Sequence, residues 1–297
     1  MSARAHHALL MATGGGSYVD DYVTPYGVWS AEKKLIRAYS GPAIRVRRSS
    51  DNAEQDIAFA AGLLDTAALL SFTGSNSGYV TKIYQQVAAL TGADLAQTGA
   101  GQQPRIVNAG TLEADYAWHD GSDDYLRASL PAGGIASAAA TVFARARIDA
   151  IAPSGVPGGC VDFGYGGVRS MLLYYDPRAA TGTPGVTCLF AFGGSPFQAR
   201  GFPTATRDIT GGAHNITFRA NLAATGASDS SLHIYADGTD TGQTWASTSE
   251  VDGTFDFGLI NTGRNEVYGL YGRIGLHSMV LVASDALAQR ANIEALL

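Results

Sequence analysis

The fold class is decided by the segment Thr141-Val142-Phe143-Ala144-Arg145-Ala146-Arg147. Its small apolar residues Val142, Ala144 and Ala146 alternate with larger or charged ones. A period of two places alternate side chains on the same face of an extended chain, whereas a helix would need a period near 3.6. The segment therefore predicts a β-strand with Val142, Ala144 and Ala146 on one face.

Similar short segments follow one another from about residue 104 onward. Turn-forming pairs such as Asp237-Gly238 and Asp252-Gly253 separate them. Many short strands with recurring turn signals are typical of an all-β sandwich or barrel, and we expect a sandwich of two antiparallel sheets. The other strand-like segments are Arg105–Val107, Ala117–His119, Tyr125–Arg127, Arg169–Tyr175, Thr187–Phe192, Asn215–Arg219, Leu232–Tyr235, Phe255–Leu259 and Arg273–Val282.

Composition and charge exclude several classes of protein. Charged residues make up 15% of the chain, against about 25% in an average globular protein, so a helical bundle with wet charged faces is disfavoured. The formal net charge is −6, which leaves no basic excess for binding nucleic acid. The one dense basic cluster, Arg45, Arg47 and Arg48, falls in a strand-like run. No apolar stretch approaches the length of a membrane span.

The first 28 residues differ from the rest of the sequence. They contain Gly14-Gly15-Gly16 and show no lasting period, which is typical of an arm that is frayed or docks on a partner. We therefore expect an N-terminal arm over residues 1–28 and a sandwich over 29–297. Short helices are predicted near residues 30–40, 63–70 and 284–296.

Two features bear on where the protein works. The apolar run Ala8–Ala12 is too short for the core of a signal peptide, so we expect synthesis in the cytoplasm without one. The two cysteines, Cys160 and Cys188, form no CxxC pair and do not predict a zinc site. A disulfide between neighbouring strands and two separate thiols both stay open.

Four stretches in the first third of the chain carry a resemblance: Ala38-Tyr39-Ser40-Gly41-Pro42, Arg47-Arg48-Ser49-Ser50-Asp51, Asp56-Ile57 and Thr81-Lys82-Ile83-Tyr84. Together they resemble the start of the catalytic domain of fungal-type α-L-arabinofuranosidase B. That resemblance implies a concanavalin A-like jelly-roll fold and, as one possibility, glycoside hydrolase activity.

Other stretches resemble laminin G-like domains, which share the same sandwich. They are Gln103-Pro104-Arg105-Ile106-Val107, Asp120-Gly121-Ser122-Asp123-Asp124-Tyr125-Leu126, His233-Ile234-Tyr235-Ala236-Asp237-Gly238 and Tyr271-Gly272-Arg273-Ile274-Gly275. The tandem arrangement is similar to proteins of tailed phages and gene transfer agents. There such domains serve as head spikes, fibres or tail components, so the resemblance implies a virion protein.

The sequence departs from the active arabinofuranosidases at two points. The strand Thr81–Tyr84 continues as Gln85-Gln86, where the enzymes have a run rich in Asp, Gln, Ser, Gly and Asn, and no cysteine precedes Cys160. Glu113 and Asp115 would share one strand face, as paired catalytic carboxyls do, but the residue three further on is Trp118 instead of a glutamate. We therefore predict no enzymatic activity. The remaining acidic candidates, mostly in turns, are Asp120, Asp123, Asp124, Glu250, Asp252, Asp256 and Glu266.

Sugar binding needs an aromatic face and a few fixed polar groups. Trp118, Tyr125 and Trp245 adjoin turns and are the predicted stacking residues, while Asp123 and Asp124 are predicted to bind hydroxyl groups. Core packing of these aromatics is the alternative. Asp120-Gly-Ser-Asp-Asp could offer oxygens to Ca²⁺, but a tight hairpin is the preferred interpretation. No metal ion and no cofactor are predicted.

The leading hypothesis is a glycan-binding structural component of a phage-like particle that attaches to host-surface polysaccharide. It implies location on a virion, contacts with other virion subunits through the N-terminal arm, and a homo-oligomer. The alternatives are a purely structural virion subunit and an arabinofuranosidase-like glycoside hydrolase.

Overall fold

Strands account for most of the ordered backbone in the computed structural model, which describes residues 17–131, 139–148, 158–163, 170–176, 185–192, 195–201, 212–221, 232–245, 258–265 and 270–297. The strands in chain order are β1 (Gly27–Ser30), β2 (Ile44–Arg48), β3 (Glu54–Ile57), β4 (Phe59–Ala60), β5 (Leu63–Leu64), β6 (Gly78–Ile83), β7 (Leu95–Ala96), β8 (Arg105–Asn108), β9 (Thr111–Leu112), β10 (Ala117–Asp120), β11 (Leu126–Ser129), β12 (Ala139–Ile148), β13 (Gly158–Phe163), β14 (Ser170–Asp176), β15 (Gly185–Phe192), β16 (Ser195–Gly201), β17 (His214–Asn221), β18 (Leu232–Ala236), β19 (Thr239–Trp245), β20 (Leu259–Thr262), β21 (Arg264–Asn265), β22 (Leu270–Tyr271) and β23 (Arg273–Val282).

Helices are few and short in the described part of the chain. The α-helices are α1 (Thr66–Thr73) and α2 (Arg290–Leu296), and the 3-10 helices are Val19–Asp21, Ala88–Leu90, Ala100–Gln102 and Leu287–Gln289. The side chain of Asp65 caps α1 by accepting a hydrogen bond from the N–H of Ala68 at 2.9 Å. Among these helices, none is long and apolar enough to cross a bilayer.

The strands pair into two layers. The first layer, called the front sheet, has the order β3-β2-β6-β8-β10-β23-β12-β17-β18-β19, with β1 alongside β10 against β23. The second, called the back sheet, has the order β7-β11-β20-β13-β14-β15-β16. Pairing of Lys82 and Ile83 with Ala96 and Leu95 joins the two layers. Every pairing among these strands is antiparallel, so the predicted all-β sandwich is confirmed.

The core between the layers is closed by aromatic contacts. Phe163 on β13 of the back sheet meets Phe218 on β17 of the front sheet edge to face, with ring centroids 6.2 Å apart. Val142 and Ala146 on β12 join the same core, as the alternation predicts. Edge-to-face contact suits the aromatic quadrupoles, and the pair adds about 1 kcal/mol beyond the burial of the two rings.

The opposite face of the front sheet is covered at one end and open at the other. Phe143 on β12 packs in a second apolar cluster with Val19, Val28 and Leu35 from the N-terminal segment and Ile293 from α2. Further along the same face, Arg145 and Arg147 are only half-buried. The uncovered end of this face carries the candidate site.

The predicted helix over residues 30–40 is wrong. The N–H groups of Leu35 and Ile36 donate to Oε1 of Gln86, at 2.8 and 3.2 Å, and the N–H of Lys34 donates to the carbonyl of Gly62. Because these donors are satisfied by distant partners, the segment runs along β5 instead of coiling. Gln85-Gln86 therefore has a structural use at the point where the sequence departs from the arabinofuranosidases.

The chain near residue 28 also differs from the expected boundary. Val19 and Val28 are fully buried, and Gly27–Ser30 pairs along its whole length with β23. Residues 17–28 thus contribute to the second apolar cluster, and a cut at residue 28 would divide β1. Residues 1–16, the rest of the predicted arm, lie outside the described residues.

The two cysteines lie on strands that do not touch. β14 separates β13, which contains Cys160, from β15, which contains Cys188. Two strand spacings amount to about 9.6 Å, and a disulfide needs Cα atoms closer than about 7 Å. The strand order therefore excludes the disulfide.

Candidate functional site

A row of paired residues crosses the open end of the front sheet. Each residue is the direct cross-strand partner of the next, so their side chains share one face. The row, called the arginine–aromatic row, consists of Arg47, Tyr79, Arg105, Trp118, Gly275 and Arg147. It alternates cations with rings: the guanidinium of Arg47 lies 4.9 Å from the Tyr79 ring centroid, and that of Arg147 lies 5.2 Å from the Trp118 ring.

A pocket of about 400 Å³ opens over the first part of this row. Its floor comes from the arginine–aromatic row. Its walls come from the turn after β7 and from residues 120–124, called the pocket loop. The lining residues are Arg47, Ser49, Tyr79, Ala100, Gly101, Gln103, Arg105, Trp118, Asp120 and Asp124. Its volume lies in the range of small-ligand sites.

The pocket loop is held together by hydrogen bonds to its own carboxyl groups. Oδ2 of Asp124 accepts the N–H of Asp120 at 3.1 Å, and Oδ1 of Asp120 accepts the N–H of Ser122 at 2.7 Å. The predicted tight hairpin is wrong, because β10 pairs with β8 and β23 in the front sheet and β11 with β7 and β20 in the back sheet, so residues 121–125 form a loop that connects the two sheets. Among the described residues, the second oxygen of each carboxyl group has no hydrogen-bond partner, so both remain available to a ligand.

Asp124 is the one buried acid of the pocket loop, with 8% of its surface exposed. Burial disfavours the charged carboxylate and raises the pKa of Asp124 to about 7; the nearby Asp120 and Asp123 raise it further, against hydrogen bonding from the backbone of Asp120 and the more distant Arg105. Asp124 can therefore hold a proton near neutral pH while facing a pocket.

The carboxyl groups of Asp120, Asp123 and Asp124 are close together, with one oxygen from each within 4.8 Å of the others. Asp120 and Asp123 are exposed. Ca²⁺ takes six to eight oxygens, and three carboxyl groups alone do not complete such a shell. The cluster is better described as a pair of pocket carboxyls, Asp120 and Asp124, with Asp123 outside.

His119, the residue before the pocket loop, anchors it to both sheets. Its imidazole is fully buried, Nδ1 lies 3.0 and 3.1 Å from the carbonyl oxygens of Ala117 and Ile274, and Nε2 lies 3.1 Å from the hydroxyl of Thr262. Two carbonyl acceptors require the proton on Nδ1, so Nε2 accepts from Thr262. Burial lowers the pKa of His119 to about 4, which keeps the ring neutral as a structural link between the sheets.

The structure separates the predicted sugar-binding residues. Trp118 and Asp124 line the pocket together, and Asp123 stands just outside it. Tyr125 does not line the pocket, and its ring lies 6.4 Å from that of Tyr271. Trp245 ends β19, and its side chain lies outside the described residues.

Glu113 and Asp115, the pair weighed for catalysis, are held in separate ion pairs. Glu113 accepts a 2.6 Å hydrogen bond from Arg105, and Asp115 accepts one of 2.9 Å from Arg147. The neighbouring His277 and the hydrogen bond from Arg147 lower the pKa of Asp115. Neither residue lines the pocket, so they do not form a catalytic pair here.

Asp115 belongs to a buried ion cluster beside the pocket. His277 is 6% exposed; its Nδ1 lies 3.0 Å from a carboxylate oxygen of Glu32, and its Nε2 lies 3.7 Å from one of Asp115. Burial lowers the pKa of His277, but its two carboxylate neighbours outweigh burial, and the net effect is a raised pKa. The cluster ties the segment after β1 to β23 and to the loop before β10.

Sequence reasoning missed Tyr79 and Arg105 as pocket residues and treated Arg47 as an exposed basic residue. Strand alternation placed each on a face, but only the register of β2, β6, β8 and β10 brings them onto the same row. Asp120 stood among the acidic candidates, and its position in a turn sequence alone gave no reason to prefer it as a pocket residue.

Comparison with known proteins points to one family. The model of the α-L-arabinofuranosidase B catalytic domain matches residues 19–117, a third of the chain, and this segment contributes most of the pocket lining. No curated protein matches the sequence.

Two solved structures resemble the whole fold. A GH54 α-L-arabinofuranosidase soaked with a cyclic sulfate inhibitor has a TM-score of 0.66 at 13% identity. An arabinofuranosidase complexed with arabinofuranosyl-α-1,2-xylobiose has a TM-score of 0.64 at 12% identity. Each alignment covers 98% of this chain and 64% of the other. At identity this low the two matches show a shared fold alone, and the chain spans 64% of the length of each of these enzymes.

These matches correct two predictions. The hypothesis of a structural glycan-binding component of a phage-like particle and the predicted absence of enzymatic activity are both contradicted, because the matching model describes a catalytic domain and both solved structures are glycoside hydrolases. The alternative weighed from the sequence, an arabinofuranosidase-like hydrolase, fits better. An interaction with polysaccharide agrees with either view. Location on a virion stays a prediction.

Proposed function

We propose that this chain is a glycoside hydrolase that acts on α-L-arabinofuranosyl groups of a glycan. The observation that carries the proposal is the pocket wall formed by Asp120 and Asp124. It places a carboxyl group with a pKa of about 7 beside a second, exposed carboxyl group and next to the ring of Trp118. Glycoside hydrolysis needs a protonated acid and a second carboxylate at one bond.

Asp124 is assigned the role of general acid. Its proton passes to the glycosidic oxygen as the bond between that oxygen and the anomeric carbon breaks. Asp120 is assigned the role of nucleophile, and its unpartnered oxygen bonds to the anomeric carbon. Water then gives a proton to Asp124 and attacks the anomeric carbon, which releases Asp120 and restores both groups.

The short separation of the two carboxyl groups favours this double displacement. One oxygen from each lies within 4.8 Å of the other, which is well short of the roughly 6.5–9.5 Å that leaves room for water in inverting enzymes. We therefore expect hydrolysis with retention of the anomeric configuration, which proton NMR of the first-formed product measures.

Trp118 supplies the apolar face of the site. Its ring lines the pocket, and the guanidinium groups of Arg147 and Arg273 lie 5.2 and 6.0 Å from its centroid. A ring braced in this way offers a fixed surface to the C–H side of a sugar.

The test compares two substrates that differ only in leaving group. 4-Nitrophenol leaves without a proton, whereas methanol needs one, so a lost general acid slows hydrolysis of methyl α-L-arabinofuranoside far more than that of the nitrophenyl glycoside. We expect Asp124→Asn to reduce kcat/KM for the methyl glycoside by about 10²- to 10⁴-fold and for the nitrophenyl glycoside by much less. Asp120→Asn should slow both substrates.

The matched control is Asp123→Asn, which removes an equivalent exposed carboxyl group outside the pocket. Its kcat/KM should stay within about twofold of the unaltered protein. Absence of turnover on both glycosides by the unaltered protein, or equal losses in Asp123→Asn and Asp124→Asn, would overturn the proposal.

A further inference from the structure

A second cavity, called the tyrosine pocket, lies at the other end of β6. Its volume is about 470 Å³. It is bounded by the loop after residue 36 and by the 3-10 helix Ala88–Leu90. Its lining residues are Ile36, Ala38, Tyr39, Ser40, Gly41, Tyr84, Gln85, Gln86, Val87, Ala88, Thr91, Gly92 and Asp94. None of them belongs to the pocket of Asp120 and Asp124.

A β-bulge puts the two pockets on the same face of the front sheet. Arg47 pairs with Tyr79 and Arg45 with Lys82, with Thr81 as the extra residue of β6. Tyr79 and Lys82 therefore share a face in spite of their odd spacing, and Tyr84, two residues further on, follows them. Tyr79 lines the first pocket and Tyr84 the second. Five residues of strand separate them by about 16 Å.

The chemistry of the tyrosine pocket suits a neutral ligand rich in hydroxyl groups. Among the described residues, its lining contains no Lys, Arg or His, so these residues offer no cationic partner to an anion. Its one acid, Asp94, accepts the N–H of Gln85 at 2.9 Å and pairs with Lys82 at 3.3 Å, so it does not call for a cationic ligand. The rings of Tyr39 and Tyr84 add two half-buried aromatic surfaces.

The side-chain amide of Gln85 holds one part of the tyrosine-pocket lining in place. Oε1 of Gln85 accepts the N–H groups of Val28 and Val87, at 3.3 and 2.5 Å, which fixes which end of the amide is oxygen. Nε2 then lies buried toward Gly27. Because one amide binds both Val28 and Val87, this part of the pocket is formed before any ligand arrives.

We propose that the tyrosine pocket is a distal subsite that binds a neutral glycosyl residue of the same glycan chain whose arabinofuranosyl group occupies the first pocket. The inference rests on the proposed function for the identity of the glycan, and its own content is the second contact. Two linked contacts on one face raise the affinity for a polymer without changing that for a single sugar, because the second contact forms within the complex.

The test blocks the tyrosine pocket without touching the first. Ala88 is exposed and lines it, so Ala88→Trp fills it; Ala89 is its exposed neighbour in the same helical turn but does not line it, so Ala89→Trp is the matched control. A second pair is Tyr84→Ala, which removes the ring, and Tyr84→Phe, which removes only its hydrogen bond to Asp56. Thermal unfolding confirms that each variant is folded.

Two readouts separate this inference from the proposed function. The first is direct binding of soluble arabinoxylan by titration calorimetry, and the second is kcat/KM on arabinofuranosyl-xylobiose compared with arabinofuranosyl-xylohexaose. We expect Ala88→Trp and Tyr84→Ala to weaken binding of the polymer by about tenfold or more. They should also remove the advantage of the longer oligosaccharide while leaving 4-nitrophenyl α-L-arabinofuranoside unaffected.

The outcomes are distinct for the two claims. If no glycoside is hydrolysed but arabinoxylan binds and Ala88→Trp weakens it selectively, the proposed function fails and the subsite stands. If hydrolysis occurs and Ala88→Trp matches Ala89→Trp on every substrate and in binding, the subsite is overturned. Absence of arabinoxylan binding by the unaltered protein also overturns it.

Discussion

The pocket loop and the buried ion cluster both contain an aspartate, but the two aspartates act in opposite ways. Asp115 and Asp124 lie nine positions apart on either side of β10, and both are largely shielded from water. Asp115 meets Arg147 and His277, and its pKa is lowered; Asp124 meets no cation directly and has two acidic neighbours, and its pKa rises to about 7. Partners, not burial alone, decide whether a carboxyl group stabilises the fold or holds a proton for chemistry.

The largest expected effect tests the structural side of this comparison. Asp115→Asn leaves His277 and Arg147 without their shared carboxylate. Breaking a fully buried ion pair by removing one partner costs about 3–5 kcal/mol. Because the Arg147 side chain is 30% exposed, we expect the free energy of unfolding in urea to fall by about 3 kcal/mol at pH 6. The activity of the molecules that remain folded should change little; a specific loss of activity without loss of stability would make Asp115 a residue of the site.

For Asp124 in the pocket loop, the same substitution is expected to raise the free energy of unfolding. A carboxyl group whose pKa is raised on folding opposes folding once it is ionised in the unfolded chain. That penalty is absent below the unfolded pKa of 3.8 and grows as the pH rises toward 7. Asp124→Asn should therefore match the unaltered protein at pH 4 and be more stable by about 2 kcal/mol at pH 8. Equal stabilities at pH 8 would contradict the raised pKa.

The ion cluster should have its own pH profile. Because the pKa of His277 is raised on folding, its stabilising contribution is complete below the unfolded pKa of 6.5 and is lost as the pH rises through the higher folded value. Glu32 and Asp115 have lowered pKa values, so their contributions are lost as the pH falls through those values. His277→Gln should flatten the decline of stability above pH 7, by about 1 kcal/mol. An unchanged decline would mean that other groups cause it.

The smallest effect concerns the two aromatics predicted as sugar platforms. Trp118 lines the pocket and Tyr125 does not. An aromatic contact of about 1 kcal/mol corresponds to a change of about fivefold. Trp118→Ala should raise KM for arabinofuranosides by about that factor, whereas Tyr125→Ala should change it by less than about twofold. The reverse order would place the sugar against Tyr125 instead of Trp118.

Strand alternation and turn residues were enough to predict the sandwich, because each is a local property of the chain. They also located β12 and the turn sequence at residues 120–124, although the hairpin predicted there is a loop between the two sheets. The sugar-binding roles of Trp118 and Asp124 stay predictions. The predicted helix over 30–40 failed because Leu35 and Ile36 find their partner in Gln86, which lies 50 residues or more away.

The roles of the acids could not be predicted for the same reason. His277 meets Glu32 across 245 positions of sequence, and Arg147 meets Asp115 across 32. The acidic neighbours of Asp124 are visible in the sequence, but the cationic partners of Asp115 are not. The contrast between them arises from strand register. The register places β12 and β23 against the loop before β10, and it leaves the pocket loop after β10 facing the pocket.

The most direct test of this contrast is a carbon-13 NMR titration of the aspartate carboxyl groups. Asp124→Asn and Asp115→Asn assign the two resonances by their disappearance. We expect the Asp124 carboxyl to titrate with a pKa of about 7 and the Asp115 carboxyl below 3.8, the usual value. If Asp124 instead titrated near 3.8, the pocket would hold no proton at neutral pH and its assignment as the general acid would be wrong.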